Sequence, residues 1–160
     1  MDVEGDKMWT AIKFTVGIFA CFMASVSVAA NEAIGMIKIS QGQVSIQRAG
    51  SNAEARAGTR LYSADRLRTG ADGSVGVTLK DNTLLSAGPN SLISLDKFKF
   101  DSKTHAGAIS VGVKRGTLSV ATGKIAKQTP ESVEFVTPSS VLGVRGTEFL
   151  IEVIPTVEVD

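Results

Sequence analysis

The sequence predicts an all-β domain, a β-sandwich or β-roll of antiparallel hairpins, preceded by an N-terminal signal or anchor helix. Three observations predict it. Apolar residues alternate with a period of two on both arms of three turn-like dipeptides. A refrain recurs in which a glycine leaves a turn and an alternating run begins: Gly42-Gln-Val-Ser-Ile, Gly73-Ser-Val-Gly-Val, Gly107-Ala-Ile-Ser-Val, Gly116-Thr-Leu-Ser-Val and Gly146-Thr-Glu-Phe-Leu. Past Ala30 no window carries the apolar stripe of an amphipathic helix.

The first thirty residues stand apart. Lys13 is followed by the apolar run Phe14 to Ala24 and then by the small residues Ser25, Ser27, Ala29 and Ala30. This is the charged, apolar, small-residue order of a secretory signal peptide, with a cleavage site near Ala29 or Ala30. An uncleaved anchor is the rival reading, because Phe14 to Ala30 approaches the roughly 17–25 apolar residues that cross a bilayer. The small-residue ending favours cleavage. The acidic start MDVEGDK fits a leader poorly, and translation from Met8 removes that conflict. Residues 1–30 are therefore read as leader and residues 31–160 as the folded domain. Cys21 lies inside the apolar run, so the domain has no thiol and holds together by its core alone.

Within the domain, a turn at Gln41-Gly42 sets Ile39 opposite Val44 and Ile37 opposite Ile46. A turn at Asp81-Asn82 sets Leu79 opposite Leu84, with Val77 and Val75 continuing that face; Asp and Asn tolerate the positive φ that tight hairpins need. A third turn, at Arg115-Gly116, sets Val113 opposite Leu118 and Val111 opposite Val120. In Leu95-Asp96-Lys97-Phe98-Lys99-Phe100 the phenylalanines alternate with charges, as on a half-buried strand, and Arg66 and Arg68 flank Leu67 as the solvated face of another. Pro89, Pro130, Pro138 and Pro155 mark loops or strand ends, where a missing N–H is tolerated. In Thr137-Pro-Ser-Ser-Val-Leu-Gly-Val-Arg-Gly-Thr147, Gly143 and Gly146 suit positive φ or close approach, so the segment reads as a fixed turn opening the final strand. Arg145 then acts either as a clamp onto the body of the domain, with Asp65 or Asp72 as candidate partners, or as a surface hook for a carboxylate.

Composition narrows the chemistry. With 17 basic and 16 acidic side chains the chain offers no overall field that would gather nucleic acid. His105, the only histidine, sits in a polar loop with no thiol to activate and no G-x-S-x-G elbow in the chain. Asp65, Asp72, Asp81, Asp96 and Asp101 are scattered, without metal-ligand spacing. No catalytic, cofactor-binding or metal-ligating set emerges, and the reading is of a protein that is not an enzyme.

The succession Gly42-x-Val44, Asp65-Arg-Leu-Arg-Thr-Gly-Ala-Asp-Gly73, Leu79-Lys-Asp-Asn-Thr-Leu, Gly88-Pro-Asn-Ser91, Lys114-Arg-Gly-Thr-Leu118, Thr122-Gly-Lys124 and Thr137-Pro to Arg145-Gly-Thr147 resembles the FecR-domain family of bacterial envelope proteins, over roughly Ile34 to Ile151. The resemblance implies an all-β periplasmic domain in which Thr137, Pro138, Gly143, Arg145, Gly146 and Thr147 form a structural motif. Some members are transmembrane sigma-factor regulators that relay a signal from an outer-membrane iron-siderophore transporter. Here only the residues up to Lys13 precede the apolar run and the chain stops soon after Phe149, so that role is not carried over. The expectation is a stand-alone exported binding or scaffold module in the periplasm. Its partner is expected to be another envelope protein or component reached through a strand edge or loop surface, with no nucleic acid involved. The alternative is an inner-membrane-anchored signalling component, facing the periplasm, if the leader is retained.

Overall fold

The computed structural model describes residues 32–155. The expected leader over residues 1–30, Cys21 and the choice between Met1 and Met8 lie outside the described residues. No helix among those described is long and apolar enough to cross a membrane.

Twelve strands among the described residues form one curled sheet, antiparallel but for a single pair. They are β1 (Gly35–Gln41), β2 (Val44–Arg48), β3 (Ser51–Glu54), β4 (Arg60–Leu61), β5 (Arg66–Thr69), β6 (Ser74–Leu79), β7 (Leu84–Ala87), β8 (Leu92–Phe100), β9 (Gly107–Ala121), β10 (Val133–Val136), β11 (Val141–Gly143) and β12 (Glu148–Val153). One half of the sheet runs β4-β1-β6-β7-β9-β12 and the other β3-β2-β5-β8-β9-β10-β11. The two meet in β9, whose first part pairs with β8 and β10 and whose last part pairs with β7 and β12.

Period-two burial follows from this arrangement. Val75, Val77 and Leu79 point inward from β6, Ile93 and Leu95 from β8, and Val111, Val113, Leu118 and Val120 from β9. The inner surfaces of the two halves meet in the interior, where the Phe135 ring of β10 stands edge-on to Phe149 of β12 with centroids 5.1 Å apart. Each fully buried Val, Leu or Ile contributes about 1.5–3 kcal/mol, which is how a thiol-free domain is held.

Two of the three expected hairpins are corners instead. β1 and β2 do not pair: β1 runs between β4 and β6, and β2 between β3 and β5. A bulge in β1 between Ile37 and Ile39 turns Ile39 to the outer face, where it is exposed, while Ile37, Val44 and Ile46 are buried. Arg115-Gly116 is no turn either, because β9 runs through it without a break. At each place a glycine at positive φ, Gly42 at +62° and Gly116 at +84°, bends the chain from one half of the sheet into the other. Strands that switch sheets at such bends build the corners of curled sheets. A side chain at Gly42 would run into the Asp72 carbonyl, and one at Gly116 into Ser91, so neither position admits a Cβ.

The third hairpin forms, one residue out of register. Asn82 (φ +69°) donates its N–H to the Leu79 carbonyl (3.0 Å), and Leu79 donates to the Thr83 carbonyl (2.9 Å). This is a three-residue loop rather than a two-residue one. Thr78 therefore opposes Leu84, which is 47% exposed, and Leu85 takes the core position.

The parallel pair also departs from the all-hairpin expectation. After β9 the chain crosses back through a short helix, α1 (Lys124–Gln128), and a 3-10 turn at Pro130–Ser132 to lay β10 parallel to β9. Helix α1 is too short to show a periodic stripe, and a single residue, Ile125, plugs it into the core.

Candidate functional site

Two buried carboxylates fix the loops. Asp65 is fully buried and accepts Arg48 Nε and Nη2, both at 2.7 Å, as well as the Tyr62 N–H at 2.8 Å. Arg48 also donates to the Arg60 carbonyl (2.9 Å) and lies over the Tyr62 ring, 4.4 Å from its centroid. The Asp65 carboxylate holds the Arg48 guanidinium above its ordinary pKa, chiefly through this fork. Asp81, equally buried, accepts the Thr83 N–H (3.1 Å) and hydroxyl (2.7 Å) and the Ile125 N–H (3.4 Å), which ties the β6–β7 loop to the start of α1. Both groups are spent on structure.

The segment 137–147 connects β10, β11 and β12. Thr137 closes the β10–β11 turn, its Oγ1 accepting the Ser140 N–H (3.0 Å) and donating to the Ser140 carbonyl (3.1 Å), with Pro138 exposed at the tip. The carbonyls of Gly146 and Thr147 accept the Thr122 hydroxyl (2.7 Å) and N–H (2.8 Å). Arg145, just ahead of Gly146, is exposed and makes no side-chain hydrogen bond or ion pair among the described residues. Neither candidate partner is its own: Asp65 belongs to Arg48, and Asp72 accepts the Gln43 N–H (3.3 Å) at the Gly42 corner. Gly143 and Gly146 are not at positive φ, and a Cβ added at either meets nothing within 4 Å, so the turn does not require glycine there.

Exposed apolar residues lie on two of the strands that this segment connects. Val141 (65% exposed) and Leu142 lie on β11, and Leu150 (66% exposed) faces outward from β12. Among the described residues β11 pairs only with β10 and β12 only with β9, so each leaves a row of backbone N–H and C=O groups unpaired.

The remaining candidates are distributed as follows. His105 is exposed in its loop at φ +59° and stacks on Phe100, with centroids 6.2 Å apart. Phe98 and Phe100 are half-buried against the core while Lys97 and Lys99 face water. Arg66 and Arg68 are exposed on either side of buried Leu67. Arg115, expected at the tip of a hairpin, instead lies partly buried on the same outer face, across β8 from Arg68. Sequence reasoning missed that meeting because the three arginines converge only through pairings between distant strands. Among the described residues no three His, Cys, Asp or Glu side chains converge as metal ligands.

The described residues thus form an all-β domain whose two buried acids serve its own loops and whose edge strands stay open. The FecR family (FecR protein) matches residues 65–159, more than half of the chain, and the protein belongs to that family. The match begins at β5, so β1 to β4 lie ahead of it. No curated protein and no solved structure matches the chain.

Proposed function

We propose that the protein is a non-enzymatic binding or scaffold module of the bacterial envelope, related to the envelope signalling regulators of its family. It works as residues 31–160 in the periplasm after the leader is removed, and the curled sheet acts as a roll. The observation that carries the reading is the pair of open edges at β11 and β12, bearing exposed Val141, Leu142 and Leu150. An open edge accepts an extended segment of a partner through main-chain hydrogen bonds, and flanking apolar side chains add specificity. Thr137, Gly146 and Thr147 hold the frame, whereas Arg145 serves the partner as a hook for a carboxylate.

The test is photo-crosslinking in intact cells from a benzophenone amino acid placed at Leu150 or Val141, with Ser51 on the far edge strand β3 as control. A discrete adduct from Leu150 or Val141 and none from Ser51 supports the reading. Equal labelling from all three positions refutes it. The apolar run Phe14 to Ala24 favours a second reading, a membrane-anchored signalling component. Retention of those residues in the mature protein selects that second reading, and their loss selects the first.

A further inference from the structure

We infer a second site, for a phosphate group, on the outer face of the sheet where β5, β8 and β9 bring Arg66, Arg68 and Arg115 together. Arg68 opposes Leu92, and Leu92 opposes Arg115, so the two arginines share one row across three strands. Two strand spacings separate them, roughly 10 Å between backbones, and Arg66 lies two residues from Arg68 on the same face, roughly 7 Å away. Long side chains rooted at these points can converge on one small ligand. A groove of about 440 Å³ lined by Ser45, Gln47, Asn52 and the three arginines lies there, and a second of about 470 Å³ continues past Arg68 and Arg115 to Gly70 and Asn90.

Charge and hydrogen bonding favour an anion. None of the three arginines has a carboxylate within ion-pair distance among the described residues. Of the acids nearby, Glu54 pairs with Arg56, Asp96 accepts the Ser94 hydroxyl (3.0 Å), and Glu152 shares an adjoining groove with Arg68 and Arg115 without coming within ion-pair distance of either. Arg115 Nε is buried and has no hydrogen-bond acceptor. A buried donor left unmade is costly, and an acceptor that reaches it, whether an ordered water, an ion or a ligand oxygen, relieves that cost. Three guanidiniums suit a phosphate monoester, which carries close to two negative charges and three acceptor oxygens. Ser45, Gln47 and Asn52 add neutral groups suited to a hydroxylated carrier. The three arginines root on the outer two of three neighbouring strands, roughly 10 Å apart, close enough for their side chains to meet on one phosphate group. The near-neutral balance of the whole chain conceals this patch.

The experiment uses the full chain in a neutral detergent. Inorganic phosphate, glycerol 3-phosphate and mixed micelles containing phosphatidic acid are titrated while the arginine Nε–H resonances and the melting temperature are followed. Saturable movement of the Arg115 Nε–H signal and a rise in melting temperature are expected, since a ligand that binds only the folded state stabilises it. Binding should weaken at least tenfold in Arg68→Gln and in Arg115→Met. Arg115→Met, which removes the unmade donor, should melt no lower than the parent without ligand. Response to the soluble probes identifies a soluble phosphate ester, and response to the micelles alone identifies a lipid headgroup; both support the site. Equal binding of succinate, no saturation by any probe, or parental affinity in both variants would overturn it.

Discussion

Replacing Arg48 by alanine tests the principal lock of the fold. In the parent, Asp65 is 1% exposed at its side chain and Arg48 is 45% exposed, so the substitution removes the outer partner and leaves the inner one buried. Two charge-assisted bonds of 2.7 Å disappear and the Tyr62 N–H remains as donor. Hydrogen bonds to charged groups contribute about 1.5–3 kcal/mol each, and breaking a fully buried pair costs about 3–5 kcal/mol. Water can follow into the space a half-exposed arginine vacates, so the lower part of that range applies, about 2–4 kcal/mol. A domain of this size then melts roughly 10 °C lower. The assay is thermal unfolding by circular dichroism, with Arg56→Ala as control, because the Arg56–Glu54 pair is solvent-exposed on both sides. Arg48→Ala should fall clearly below the parent and Arg56→Ala should coincide with it. Coincidence of all three curves would refute the assignment of Asp65 as a lock.

Gly116→Ala should destabilise by about 2–3 kcal/mol, combining left-handed strain with the collision against Ser91; Gly58→Ala, also at positive φ but with open space around it, should cost only about 1–2 kcal/mol in the same melts. Val111→Asp places a carboxylate between Leu95 and Phe135 at a position 1% exposed, and should abolish cooperative unfolding, since its cost of several kcal/mol rivals the whole stability of about 5–15 kcal/mol. Arg145→Ala and Arg145→Lys should both melt within about 0.5 kcal/mol of the parent, and a larger loss in either would restore the clamp reading. The N–H groups of Lys103 and Thr104 hold the Asp101 carboxyl below its ordinary value of 3.8. Because the folded value is the lower, its contribution to the loop is complete above the unfolded value and is lost as pH falls through the folded one. Carboxyl NMR of Asp101 should give a midpoint below 3.8.

The strand content was legible because period-two burial is local: Val75, Val77, Ile93, Leu95, Val111 and Val113 sit where their alternation places them. Pairing was not. An inward residue on each arm with a break in parity between them reads identically for a two-residue hairpin and for a corner that inserts one residue. Gly42 and Gly116 are corners, and only the distant partners Asp72 and Ser91 distinguish the two. The shift from Leu84 to Leu85 had a visible cause in the positive φ of Asn82, because the loop length decides which face follows. At Arg145 the flanking glycines suggested constraint, but the surrounding space is open. The arginine face joins residues 66, 68 and 115 through β8, a relation that no local window contains.

Strand β9 belongs to both halves of the sheet, and this determines how the domain comes apart. A sandwich of two separate sheets can lose one layer and keep the ladders of the other. Here the removal of either half strips both neighbours from one end of a fifteen-residue strand whose other end the remaining half needs. Amide protons of β7 and β12 should therefore exchange with solvent at the same opening free energy as those of β8 and β10, as one cooperative unit. Apart from β8, its neighbour in the chain, the partners of β9 are separated from it by other elements, so much loop closure precedes the contacts that reward it, and folding belongs among the slower, millisecond-to-second β topologies.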